Sequence, residues 1–160
     1  MYLDLIARAF RRNDRVIAAH AEGLSDTDAL RQSGSNTNCF NWVLGHIVAG
    51  RDEILSVLGQ PAVAWDRVDR YHRESDPIRE DGPGVLPMSE LLATLTEQGD
   101  RIVAALGSAD DAFMAIEVPA GEGRTVSRAG QVLFFYFHET YHAGQTDVIR
   151  QLSGKSDKII

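Results

Sequence analysis

The chain has one cysteine, Cys39, among its 160 residues, so no internal disulfide can form. That usage suits a reducing compartment, and a cytoplasmic setting is expected. Basic residues are in deficit, with 16 Lys and Arg against 23 Asp and Glu, a formal net charge of −7. No basic stripe and no aromatic-plus-basic cluster exists, so nucleic acid is not an expected partner. The excess of acid favours solubility instead. Long apolar runs are also missing. No stretch approaches the roughly 20 apolar residues of a membrane span. The opening MYLDLIARAFRRNDR lacks the unbroken apolar core of a secretory signal. Neither a membrane partner nor a removed leader is expected. No internal repeat is visible, and no alternating pattern is strong enough to build a sheet.

What the chain does have is helical periodicity. A 44% hydrophobic content and this length fit one domain with one core. Leu3, Ile6, Phe10, Asn13, Ile17 and His20 recur at three-four spacing and predict a first helix from about Leu3 to His20. Two of those inward positions, Asn13 and His20, are polar. Residues 23–37 are rich in Gly, Ser, Asp and Thr and read as a linker with one short helical turn. A second helix is expected from Asn38 to Leu58, stopped by Gly59 and Pro61. Residues 61–87 form a long connection that holds Pro61, Pro77, Pro83 and Pro87, along with Trp65 and Tyr71. Such a loop is either functional or a crossing from one end of the bundle to the other. Its Arg67, Arg70, Arg73 and Arg79 read as a solvated face or as collectors of an anionic substrate, and its His72 reads as solvated. A third helix is expected from about Ser89 to Leu106. Residues 107–126, with GEGR, read as a short hairpin or an extended crossover. A fourth helix starts after Ser127, a predicted N-cap, and ends at Leu152 before Gly154. The tail KSDKII is expected to fray. The prediction is an all-α four-helix bundle of antiparallel type, with long connections between helices 2 and 3 and between 3 and 4.

The chemistry is concentrated in three histidines. In QVLFFYFHETYHAGQTDVIRQL, residues Gln131, Phe134, Phe135, His138, Tyr141, His142, Gln145, Ile149 and Leu152 share one face at 100° per residue. Tyr136, Ala143 and Asp147 lie opposite, so this stripe is expected to point inward. His138 and His142 sit one turn apart and can hold one metal ion. Burying two imidazoles is costly unless every nitrogen finds a partner. A metal satisfies one nitrogen of each, and Gln131, Gln145 or Tyr141 could accept from the other. On the second helix, His46 shares a face with Cys39, Trp42, Val43, Ala49, Gly50, Glu53 and Val57. Three protein ligands with an open position form a catalytic type of zinc site, and nickel or iron also accept imidazole. Glu53 lies about 10 Å from His46 along the axis, too far to share its ion but able to orient a water or the substrate. Cys39, about 10 Å the other way, is a weaker ligand candidate. Gly50, one turn from His46, leaves room for a ligand. The bland readings are that His46 and His20 are satisfied core residues and that the aromatic run is packing.

HETYH also matches the zincin pattern HExxH, in which Glu139 would be a general base. The 18 residues after His142 hold no further His or Glu to complete a ligand set, and no strand offers a substrate-binding edge. A metalloprotease is therefore disfavoured.

Trp42-x-x-x-His46 on one helix, followed by His138-Glu-x-x-His142-x-Gly-Gln145 on another, resembles the DinB/YfiT-like superfamily over nearly the whole chain. The resemblance implies a four-helix bundle, a metal site of His46, His138 and His142, and frequent homodimers. It also implies activities such as thiol S-transfer with bacillithiol- or mycothiol-like cosubstrates, or isomerisation of maleylpyruvate. The leading expectation is a metal-dependent thiol S-transferase acting on small electrophiles. It would use one zinc, nickel or iron ion and a low-molecular-weight thiol, with Glu53, Glu139 or Tyr141 assisting proton transfer. The alternatives are a non-enzymatic metal-containing stress-response or ligand-binding module, and a bundle with purely structural histidines. A dimer surface is expected on helices 1 and 4, where Leu133, Tyr136 and Phe137 lie off the assumed inward face.

Overall fold

The computed structural model describes residues 2–32, 34, 37–63 and 68–155. Trp65, Arg67 and the tail from Ser156 fall outside the described residues. The described chain is mostly helical. Helix α1 spans Tyr2–Ala21, α2 is a single turn at Asp26–Ala29, and α3 spans Phe40–Val57. A short 3-10 turn, Val68–Tyr71, lies in the long connection. Then come α4 (Met88–Ser108), α5 (Asp111–Ala115), strands β1 (Glu117–Pro119) and β2 (Thr125–Ser127), and α6 (Arg128–Leu152). No helix among the described residues is long and apolar enough to cross a membrane.

Local chemistry sets these boundaries. Ser25 and Asp28 form a reciprocal capping box that starts α2. The Ser127 hydroxyl accepts from Gly130 N–H at 3.2 Å and starts α6, as the sequence predicts. Residues 117–127 resolve into the hairpin alternative. Its strands pair antiparallel, and Gly121, Glu122 and Gly123 turn at positive φ. Helix α4 has no side-chain cap of its own; Asp26 supplies one from α2 by accepting from Met88 N–H at 2.8 Å.

The four long helices form a ring in the order α1, α4, α3, α6. The core has two apolar clusters. One holds Ile17, Val43, Ile47, Leu91, Leu95 and Ala143. The other holds Phe10, Ile54, Leu55, Ile102, Leu106 and Val132. Each long helix passes from one cluster to the other, so the clusters give the directions. α1 and α6 run one way, and α3 and α4 the other. Neighbouring pairs are therefore parallel at α1/α6 and α3/α4 and antiparallel at α1/α4 and α3/α6, which corrects the expected antiparallel-type arrangement. Consecutive parallel helices need a connection that climbs the full bundle. An 18-residue helix is about 27 Å long. That height explains the length of the 61–87 connection.

Between the clusters lies a layer of charge. Arg51 on α3 has 0% exposure, and Glu139 on α6 has 3%. The guanidinium grips Glu139 with two bonds, Nε to Oε2 at 2.8 Å and an NH2 group to Oε1 at 2.9 Å. It also donates to Asp14 on α1 at 2.6 Å and to the Leu95 carbonyl on α4 at 2.6 Å. Asn13 adds a bond to Glu139 at 3.0 Å. Gly99 is required here, because a Cβ would meet Asp14 Oδ2 at 2.7 Å and the guanidinium at 3.0 Å. Burial alone would depress the Arg51 pKa, but Glu139 and Asp14 outweigh it and raise it, so the cation persists. One buried side chain thus ties all four long helices.

This layer also fixes the rotation of α6 and corrects the expected face. The buried residues of α6 are Val132, Glu139, Ala143, Thr146, Ile149 and Arg150. That face is turned about 100°, one residue, from the predicted stripe. Phe134, Tyr141 and Leu152, expected inside, are exposed, whereas Ala143, expected outside, is buried. Tyr136 also turns inward, edge-on to Phe10 at 5.5 Å. The large aromatics mimic a core face, but small Ala143 and Thr146 permit close helix packing and Glu139 must reach Arg51.

Replacing Arg51 by Ala would leave the Glu139 carboxylate buried without its partner. A loss of about 3–5 kcal/mol is expected, read from urea unfolding of wild type and variant. A loss under about 1 kcal/mol would show that the pair does not hold the bundle.

Candidate metal centre

The rotation of α6 carries His138 and His142 to the seam with α3, where all three histidines are half-buried rather than enclosed. There they meet His46. His138 Nε2 lies 3.3 Å from His46 Nε2 and 3.1 Å from His142 Nε2. The three donor atoms lie within 4.8 Å of one another, and no further Cys, Asp, Glu or His joins them among the described residues.

The other ring nitrogens decide what these atoms can do. His46 Nδ1–H donates to the Tyr71 carbonyl at 2.8 Å. His142 Nδ1–H donates to Gln145 Oε1 at 2.6 Å, one of the acceptors the sequence offers. With Nδ1 protonated, a neutral ring presents a bare lone pair at Nε2. His138 Nε2 has at most one proton to give, so it cannot satisfy both neighbours. Burial lowers the pKa of His46, of His138 and, most strongly, of His142, which falls to about 4. The rings are therefore neutral at pH 7, the state a metal requires. Tetrahedral zinc with bonds of about 2.0–2.1 Å spaces its donors about 3.3 Å apart. Two of the three spacings, 3.1 and 3.3 Å, match that value, and the third pair, His46 and His142, lies within 4.8 Å. The donor set fits zinc, nickel or iron.

The surroundings are aromatic. The Trp42 ring stacks on His46 at 4.7 Å and 17°. Phe134 lies 6.3 Å from His138, and Tyr141 stands edge-on to His142 at 5.2 Å. A Cβ at Gly50 would sit 3.9 Å from His138 Nδ1, an ordinary van der Waals contact, so Gly50 faces that ring but the ring does not require a glycine there.

The remaining candidates separate. Glu139 is spent on Arg51 and Asn13 and turns into the core, so it does not stand beside the histidine nitrogens as a base. This also removes the geometry a zincin reading of HETYH needs. Glu53 is exposed on α3, outside the histidine cluster. Tyr141 is exposed beside His142. Cys39 is buried at the N-cap of α3, where burial pushes its thiol pKa up. His20 is a satisfied core residue, its Nδ1 2.8 Å from the Thr146 hydroxyl. Sequence reasoning missed Arg51, Asp14 and the part Tyr71 plays. The available signal was an arginine between Leu44, Ile47, Val48 and Ile54, Leu55, where an apolar residue would be expected.

The matching family is the DinB superfamily, whose model covers residues 9–146 of this chain. With that span the chain belongs to the DinB superfamily. A solved structure, described as the conserved protein of locus from Enterococcus faecalis, is similar at 14% identity and a TM-score of 0.74. The alignment covers 93% of this chain and 95% of that one, and it shows a shared fold. No curated protein matches.

The lowered histidine pKa values have a consequence for the metal-free protein. Unfolded histidines take up protons near the ordinary 6.5, while folded His142 resists until about 4. The stability this confers is complete above pH 6.5 and is lost as pH falls towards 4. Wild-type urea midpoints should drop between pH 7 and pH 4.5, and by less in His142→Ala. Equal drops in both proteins would contradict the lowered His142 value.

Proposed function

We propose that the protein is a metal-dependent thiol S-transferase that acts on small electrophiles. The observation that carries this reading is the set of three Nε2 atoms, with protons held on the far nitrogens of His46 and His142, at a half-exposed seam. Three protein donors with no fourth among the described residues favour an open position over a closed structural site. This weighs against the alternative of a purely structural metal module. His46, His138 and His142 would hold the ion. A bound zinc, nickel or iron ion supplies Lewis acidity that lowers the pKa of a thiol.

The chain's own residues would do the rest. The reaction joins the thiol sulfur to the electrophilic carbon. The leaving group departs with its electron pair, and the thiol proton goes to a base. Tyr141, beside His142, and Glu53, on the His46 face of α3, are the proposed carriers of that proton. Glu139 is assigned instead to holding α6 in register. Trp42, Phe134 and Tyr141 would exclude water on the flanks of the histidines. The setting proposed is the cytoplasm, with a small-molecule substrate and no nucleic acid or membrane partner. A homodimer through the outer face of α6 is also proposed, because Leu133, Phe134, Phe137, Val148 and Leu152 are all more than half exposed there.

Elemental analysis of protein purified without a His tag tests the first step. About one equivalent of metal is expected in wild type and none in folded His138→Ala/His142→Ala. The loaded protein should then transfer low-molecular-weight thiols to a panel of electrophiles. Metal without transfer would sink the enzyme and leave the binding module. Light scattering on the same sample should give about twice 17.6 kDa, and a monomer mass would refute the dimer.

A further inference from the structure

The long connection does more than climb the bundle. Its Tyr71 is a fully buried loop residue, and the ring lies where a side chain at position 45 would be. A Cβ on Gly45 would fall 2.1 Å from that ring, closer than any real contact. The Tyr71 hydroxyl donates to Asn41 Oδ1 at 3.0 Å and accepts from Leu86 N–H at 2.8 Å. Asn41 closes the set by donating to the Leu86 carbonyl at 2.7 Å. Four residues on, Ser75 accepts from Trp42 Nε1 at 2.8 Å and donates to the Arg70 carbonyl at 2.9 Å. Positions 41, 42, 45 and 46 of α3 therefore all engage one segment, and the last of these contacts is the Tyr71 carbonyl on His46 Nδ1.

We infer that residues 70–75 are a strap that sets His46 as a ligand, with Tyr71 the positioning residue and Gly45 the notch that seats it. The Tyr71 carbonyl can only accept, so it holds the proton on Nδ1 and leaves Nε2 bare. Trp42, itself pinned by Ser75, stacks on the ring and fixes its plane. His142 takes its orientation from its own helix, through Gln145. His46 takes its own from a segment 25 residues away in the chain, so the connection and the site are coupled. The strap's effect on metal affinity rests on reading the three histidines as ligands, whereas its hold on the His46 ring does not.

The test uses the full chain, two strap variants and one control variant. Gly45→Ala fills the notch, and Tyr71→Phe keeps the ring but removes both hydroxyl bonds. Leu106→Ala, a cavity in the far core cluster, is the stability control. Nitrogen-15 NMR of the metal-free proteins reads the His46 tautomer, and competition with a chromophoric chelator reads zinc affinity. In wild type and Leu106→Ala, His46 should be protonated at Nδ1. In the strap variants the proton should redistribute, and zinc should bind about 10–100-fold more weakly in Gly45→Ala and less so in Tyr71→Phe. If Gly45→Ala does not fold, Tyr71→Phe decides alone. Retention of the wild-type tautomer and affinity by a folded strap variant, or an equal change in Leu106→Ala, overturns the inference. Wild type with the Nδ1 tautomer but no zinc binding would refute the metal reading and leave the strap's hold on His46 standing.

Discussion

A guanidinium with no access to water must be neutralised where it stands, because burying a lone charge costs several kcal/mol. Arg51 is in that position, and its needs organise the bundle. Glu139 comes from α6, Asp14 from α1 and the Leu95 carbonyl from α4. Apolar surfaces can slide or rotate with little loss, whereas a two-bonded carboxylate and guanidinium cannot. The ion pair therefore sets the angle of α6 about its own axis. His138 is the residue beside Glu139, and His142 follows one turn later. Once Glu139 points at Arg51, His138 and His142 are brought to the α3 seam, where His46 waits.

The same arrangement explains why the histidines are half-buried. Had the aromatic stripe of α6 formed the core, the pair would have been sealed between helices. Turned out to the seam, the rings are buried enough to stay neutral and exposed enough for a small molecule to reach them. The Tyr71 carbonyl and the Gln145 amide hold the outer protons of His46 and His142. Membership of the DinB superfamily and the three-histidine cluster point the same way, to a divalent ion at this seam.

Much of this was legible in the residues. Three-four spacing of apolar residues located α1, α3, α4 and α6 within a few residues, although on α6 the stripe that marked the helix is not the face it buries. Ser127 announced the start of α6 through its capping hydroxyl, whereas the GEGR segment left a hairpin and an extended crossover both open. The histidines were legible because two lie four apart on one helix and the third interrupts an apolar run on another. The rotation of α6 was not. Phe134, Tyr141 and Leu152 look like core by size, while a charged Glu139 looks like surface. Only a partner 88 positions away, Arg51, reverses that reading, and a long-range pair leaves no local pattern. The role of Tyr71 was hidden for another reason. It acts on His46 through a backbone carbonyl, a group every residue carries.

One rotation of α6 joins the Arg51–Glu139 pair to the convergence of the three histidines. The most direct test is a crystal structure of the zinc-reconstituted protein with the ion located by anomalous scattering. One ion is expected about 2.0–2.1 Å from Nε2 of His46, His138 and His142, with Glu139 still on Arg51. Zinc bound through Glu139, or found away from the α3/α6 seam, would contradict that arrangement.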